Sequence, residues 1–196
     1  MTTIVLVRHA ATASSGRRYA GRGDPPLTAA GRRSAEALAD RLAAKLPAGT
    51  RIVSSPSRRA HETAAIIAGR MTPAVPEIDE RWLETDFGDL EGLTFDEVAA
   101  RYPGLATRLA AGDLEIDWPG GETAMALKDR VAAAWAELPV SERPTVVVSH
   151  AGPIRIAVAL ATGRLPAEVA LPSPAEAVTL EVEPASRTEP ARRAGP

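Results

Sequence analysis

Two apolar runs far apart in this chain end in the same way. Ile4-Val5-Leu6-Val7 stops at Arg8-His9, and Thr145-Val146-Val147-Val148 stops at Ser149-His150. Branched apolar residues without polar alternation mark strands buried on both faces, the kind found in a parallel sheet under helices. In open sheets of that kind, ligands bind outside the carboxyl ends of the strands. The two runs therefore constrain the architecture and, with it, the place of a functional site. As neighbours in one sheet they would bring His9 and His150 together over one pocket.

The rest of the chain keeps a strand-helix rhythm around them. Thr28 suits an N-cap, Ala35, Leu38, Ala39, Leu42 and Leu46 recur at helical spacing, and Pro47 with Gly49 closes that helix. Arg51 to Ser54 predicts a second buried strand, and a helix from about Ser57 to Arg70 follows at once. The segment from Pro73 to Ile78, with two prolines, predicts an edge strand. Arg81 to Leu93 reads as an acidic loop, and Thr94 with Glu97 forms a capping-box pair for a short helix to about Arg101. Residues 103–119 predict a short helix followed by an excursion. Gly120-Gly121-Glu122-Thr123 leads into a helix to about Leu138, residues 153–162 form another, and a last strand is expected around 178–182. This alternation favours a mostly parallel sheet covered by helices on both faces. Residues 1–183 are expected to form one domain, and the stretch 184–196, rich in Pro, Arg, Ala and Glu, to be disordered.

Composition narrows the function classes. A net charge of −2 gives no overall case for nucleic acid or an anionic membrane as partner. The chain has no cysteine, which removes disulfides, thiolate chemistry and thiolate-rich zinc sites. No apolar run approaches the roughly 20 residues of a membrane span, and the start lacks a basic segment followed by a long apolar one. A cytoplasmic location is expected. Lys45 and Lys128 are the only lysines, the other basic residues being arginine, so a lone arginine means little here and its position must carry the weight.

Position singles out three strand ends. Arg8-His9 follows the first run, Arg59 lies in the first turn after the strand Ile52–Ser54, and His150 ends the later run. Guanidinium groups suit phosphate oxygens through bidentate, charge-assisted bonds. A neutral His9 ring with its tautomer fixed offers a nitrogen nucleophile near pH 7, and neighbouring arginines keep it from protonating. A protonated His150 would donate to a phosphate oxygen. Transfer also needs a proton for the leaving alcohol, and Glu84, between Trp82 and Phe87, is the acid expected, with Asp86 the alternative. No metal is needed where cations already surround the phosphoryl group. The three histidines are too scattered for a helical metal motif, and His61 reads as a surface or capping residue. Trp118 and Trp135 read as core residues, with Trp118 near enough to Gly120-Gly121 to flank a pocket mouth.

In series, these residues resemble the histidine phosphatase superfamily, the phosphoglycerate-mutase-like group. The Arg-His-Gly motif of that family stands here as Arg8-His9-Ala10, followed by Thr12. Asp24-Pro25-Pro26-Leu27-Thr28-Ala29-Ala30-Gly31 is similar to its Asp-x-Pro-Leu-Thr-x-x-Gly pattern. Ser54-Ser55-Pro56 with Arg59-Ala60 and Thr63-Ala64 resembles its second arginine segment, and Leu83-Glu84, Phe87-Gly88 and Glu91-Gly92 its acid-bearing loop. Gly120-Gly121-Glu122-Thr123 and Ser149-His150 complete the set.

The resemblance implies a three-layer α/β/α sandwich whose mostly parallel sheet carries one antiparallel strand. It implies His9 as phosphorylated nucleophile, Glu84 as general acid and base, and Arg8, Arg59 and His150 as the phosphate clamp. Thr12, Ser15 and Ala151 at the matching positions, with Tyr19 and Arg22 in the glycine-bearing loop, are expected to bind substrate. Ala10 and Ala151 replace family glycines, and Ser15 stands where an asparagine is common.

The activity implied is a metal- and cofactor-independent phosphomonoesterase acting on a small phosphorylated metabolite. A phosphoglycerate mutase is the alternative, although the short stretch from Glu84 to Trp118 favours a phosphatase; a phosphate-binding pseudoenzyme is the third reading. The stretch around Tyr19 and Asp24 also resembles α-ribazole phosphatases. The oligomeric state stays open, with a homodimer among the choices.

Overall fold

The computed structural model describes residues 1–71, 75–138 and 143–183. Strand β1 (Thr2–Arg8) lies in the interior of the sheet, with both its faces apolar. Ile4 and Leu6 point into one cluster with Val131, Val147 and Ile154. Val5 and Val7 point the other way, against Leu38, Leu42, Ile67, Val146 and Val148. Period-2 side chains on an all-apolar strand thus build two cores, one on each side of the sheet.

Strand β2 (Arg51–Ser54), β3 (Glu77–Ile78), β4 (Thr145–Ser149) and β5 (Ala177–Val182) complete a sheet of order β3-β2-β4-β1-β5. All neighbours are parallel except β5, which runs antiparallel to β1. Helices α1 (Ala29–Ala43) and α2 (Arg58–Met71) cover one face; α5 (Ala124–Glu137) and α6 (Ala151–Thr162) cover the other. The expected three-layer sandwich, with one antiparallel strand, is the architecture found. Its register decides the function: Val5 pairs with Val146 and Arg8 with Ser149, so β1 and β4 end at one level. His9 and His150 leave the sheet side by side.

Local signals placed most element ends. Thr28 caps α1 by accepting from Gly31 N at 2.9 Å. Thr94 and Glu97 form the expected capping box at the start of α3 (Phe95–Arg101). The differences lie where tertiary contacts override local pattern. Helix α1 stops at Ala43, short of Leu46, and α6 starts at Ala151, directly after His150 rather than at Pro153. Only Glu77–Ile78 of the expected edge strand pairs, and Pro73 lies outside the described residues. The acidic loop holds two 3-10 turns, Glu80–Trp82 and Gly88–Leu90, and the uncertain stretch after Tyr102 begins with α4 (Pro103–Ala110). Residues 184–196, expected to be disordered, lie outside the described residues.

Candidate active site

A cavity of ≈ 190 Å³ opens at the carboxyl ends of β1, β2 and β4. Arg8, His9, Thr12, Ser15, Tyr19, Arg59, Glu84 and Ala151 all line it. Residues from three strand ends and from the acidic loop therefore converge, as expected. His9 Nδ1 lies 2.8 Å from the carbonyl oxygen of Ala10. That carbonyl can only accept, so Nδ1 carries the hydrogen and Nε2 holds the lone pair. Burial, reinforced by the charges of Arg59 and Arg8 and only partly opposed by the Ala10 bond, pushes the His9 pKa down to about 3. The ring is neutral near pH 7, chiefly through desolvation and only secondarily through the arginines.

Arg59, almost wholly buried, donates from Nε to His9 Nε2 over 3.3 Å. Its Nη2 donates to the carbonyls of Ala20 and Gly21 at 2.8 and 2.9 Å, and Nη1 to that of Gly23. The loop itself is tied by Glu91, whose carboxylate accepts from the backbone N–H groups of Gly21, Arg22 and Gly23 at 3.1, 2.8 and 3.4 Å. Gly21 is required there, since a Cβ would sit 2.0 Å from the Thr85 carbonyl oxygen. Arg8 donates from Nη1 to Pro172 O at 3.1 Å, while its buried Nε meets no hydrogen-bonding partner.

Glu84, from the acidic loop, is buried in the wall of the same cavity. Its Oε1 accepts from Thr85 N at 3.0 Å and Gly152 N at 3.1 Å. Desolvation raises its pKa above the ordinary carboxylate value, against the downward pull of those two N–H groups and of Arg59 and Arg8. Arg130 holds the segment from outside: it donates to the carbonyls of Arg81, Leu83 and Glu84 and pairs with Glu122 at 2.6 Å. Asp86, the alternative acid, spends its carboxylate on Gly88 N at 2.9 Å and does not line the cavity.

Two expectations are corrected. His150 lies beside His9, ring centroids 5.0 Å apart, but it is fully buried and exposes no surface in the cavity lining. Burial first, then the charge of Arg59, pushes its pKa well below the usual histidine value, so it is not an imidazolium. Its Nε2 lies 2.9 Å from Ser55 Oγ and 3.1 Å from Ser57 Oγ, hydroxyls able to donate to it. Nδ1 meets no hydrogen-bonding partner in the protein. Arg22 is the second correction. It lies outside the cavity lining, its backbone N–H is held by Glu91, and its guanidinium lies 3.9 Å from Asp86.

The substitutions at family glycines fit the backbone. Ala175 is the one non-glycine residue with positive φ among the described residues, so neither Ala10 nor Ala151 is strained. The Ala10 methyl packs with Leu27, Ala35 and Ala175, away from the cavity. Ser15 Oγ turns back to accept from Thr12 N at 2.9 Å, fixing the loop that bears both residues. Residues not anticipated as site members include Ser14, Arg18 and Phe87 in the lining, Ser55 and Ser57 behind His150, and Thr63, whose hydroxyl accepts from Ala10 N at 3.0 Å. His61 lies on α2 outside the lining. Among the described residues, no group of three or more His, Cys, Asp or Glu side chains is placed to hold a metal ion. No helix among them is long and apolar enough to cross a membrane.

Residues 4–188 match the family model of the histidine phosphatase superfamily (branch 1). Bifunctional protein Rv2228c of Mycobacterium tuberculosis is 41% identical over 163 residues, 82% of this chain. The chain spans only 44% of the length of that relative. Probable phosphoglycerate mutase GpmB of Salmonella paratyphi C is 38% identical over 154 residues, 76% of this chain and 70% of that one. The native structure of mycobacterial glucosyl-3-phosphoglycerate phosphatase Rv2419c is similar at a TM-score of 0.80 and 32% identity, covering 92% of this chain and 90% of that chain. The crystal structure of TTHB049 from Thermus thermophilus is similar at a TM-score of 0.70 and 30% identity, over 92% of this chain and 93% of that chain.

Proposed function

This chain belongs to the histidine phosphatase superfamily (branch 1), and from that premise we propose that it hydrolyses small phosphomonoesters through a phosphohistidine on His9. The lone pair of Nε2 attacks phosphorus in line; the N–P bond forms as the P–O bond to the alcohol breaks. Glu84 gives its proton to the departing oxygen. Water then attacks the phosphohistidine, Glu84 takes a proton from it, and phosphate leaves with His9 neutral again. Arg8 and Arg59 offset the charge spread over the transferring oxygens, and we propose that His150 carries its hydrogen on the unpartnered Nδ1 and donates it to one of those oxygens. The observation that carries this reading is the fixed His9 tautomer: Nδ1–H on Ala10 O, an unprotonated Nε2 that accepts from Arg59 Nε, and a pKa pushed down to about 3.

The test is turnover of p-nitrophenyl phosphate in excess EDTA, with rapid quenching to trap the phosphoenzyme. Activity that persists in EDTA, vanishes in His9→Ala, and passes through an acid-labile, base-stable phosphoenzyme is the expected result. EDTA-sensitive turnover, or full activity in His9→Ala, would overturn it. The relative described as a probable phosphoglycerate mutase favours a second reading, in which the phosphoryl group returns to a sugar acid instead of water. An isomerisation assay with 3-phosphoglycerate, run beside hydrolysis of glucosyl-3-phosphoglycerate and other phosphorylated metabolites, separates the two.

A further inference from the structure

A second cavity of ≈ 190 Å³ adjoins the first and shares Glu84, Phe87 and Ala151 with it. Most of its exposed wall is apolar: Leu114, Ile116 and Trp118 from the segment after α4, Leu127 from α5 and Ile156 from α6. Arg155 also lines it, with a buried Nε that meets no hydrogen-bonding partner, while the other two charged residues on its rim are engaged. Asp113 is bound by Arg108 at 2.7 Å, and Lys128 is paired with Glu115. Phe87 and Trp118 stand edge to face at 4.6 Å and bring aromatic surface to the same wall.

We propose that this cavity binds the leaving group of the substrate and selects phosphomonoesters whose alcohol carries a single aromatic ring. The inference rests on the catalytic reading above and deepens it. In an in-line transfer the leaving oxygen lies opposite His9, and the acid must touch that oxygen. Glu84 belongs to both cavities, so an alcohol protonated by Glu84 extends its carbon body into the apolar one. Size agrees: an engineered apolar cavity of about 150 Å³ accepts benzene, and this one holds ≈ 190 Å³. A polyhydroxylated leaving group would lose water there and find few hydrogen-bonding partners besides Arg155. Aromatic neighbours favour a ring in offset or edge contact over an aliphatic chain.

Benzyl phosphate and ethyl phosphate test this, because both release a primary alkoxide of similar basicity and differ chiefly in the ring. Burying the ring predicts kcat/KM roughly 10- to 100-fold higher for the benzyl ester. Leu114→Asp and, on the more exposed rim, Leu171→Asp bring a carboxylate to the same wall, and each is expected to cut the benzyl-to-ethyl ratio at least fivefold. Titration calorimetry with benzylphosphonate and ethylphosphonate reads the same preference without chemistry. Ratios within threefold for both the esters and the phosphonates, with both esters hydrolysed, would overturn the ring pocket and leave the hydrolase intact. Preferential binding of benzylphosphonate with neither ester hydrolysed would support the pocket and overturn the hydrolase. A preference for the ring that both variants leave unchanged would also sink the assignment of this cavity.

Discussion

The role proposed for Glu84 is to give a proton to the leaving oxygen, and desolvation shifts its pKa in the direction that role needs. A carboxyl in such a place acts as general acid with an alkaline limb above the ordinary carboxylate range, whereas His9, pushed down to about 3, keeps its nucleophilic form far into acid. Glu84→Gln should therefore lower kcat/KM for an alkyl phosphate by about 10²- to 10⁴-fold. For p-nitrophenyl phosphate, whose leaving group needs little protonation, the loss should be much smaller. The alkaline limb of the alkyl-ester profile should also disappear. Equal losses on both substrates, from initial rates across pH 4–9, would remove Glu84 from the acid's role. The acid was legible in the sequence because Trp82 and Phe87 flank it, yet only Phe87 lines the cavity; Trp82 is buried in the core. Arg22 misled because a guanidinium in a glycine-rich loop resembles a phosphate ligand, and nothing local reveals that a carboxylate 69 residues away holds its backbone.

At the scale of elements, the site is a set of strand ends held in place by loops that grip side chains with main-chain atoms. Residues 20–23 offer three carbonyls to Arg59, and Glu91 clamps the N–H groups of the same loop. Charge-assisted bonds of this kind contribute about 1.5–3 kcal/mol each, so the loop and the guanidinium order one another. Glu91→Ala should loosen both. It is expected to cost about 1–3 kcal/mol in urea unfolding, from backbone donors left without their acceptor. It should also lower kcat/KM at least tenfold, with Glu91→Gln, which can still accept, recovering part of it. An Ala variant destabilised but fully active would show that Arg59 needs no such support. The strand ends could be read in advance because β-branched runs and abrupt polar stops are local signals. The clamp could not, because its acceptors are peptide carbonyls, which every residue carries. The second cavity was equally hidden. Its wall combines α5 and α6 with residues 109–118, a stretch without a clear period, and helix packing alone brings Leu114, Leu127 and Ile156 together.

Across the whole molecule, the site couples stability to pH through groups held in their uncharged forms. His9 and His150 have folded pKa values far below the unfolded value near 6.5, so as pH falls the unfolded chain takes up protons that the folded one refuses. Their contribution to stability is complete above pH 6.5 and is lost progressively below it. From pH 7.5 to 5.5 each such histidine removes on the order of 1 kcal/mol of stability. Glu84 works the other way. Its folded pKa is raised, so the folded chain holds a proton that the unfolded chain has released, and falling pH favours the fold. Glu62, Glu77 and Asp79, held low by paired arginines once burial is outweighed, lose their stabilising effect only as pH falls toward the unfolded carboxylate values, below this window. The intact protein should thus lose less stability between pH 7.5 and 5.5 than the two histidines alone would remove, because Glu84 offsets part of their loss. Glu84→Gln should lose more than the intact protein over the same interval, and His9→Asn less. Urea unfolding of all three at pH 7.5, 6.5 and 5.5 measures the order directly. If Glu84→Gln were no steeper than the intact chain, the carboxyl would already be ionised in the folded state, and the acid proposed for the leaving group would have no proton to give.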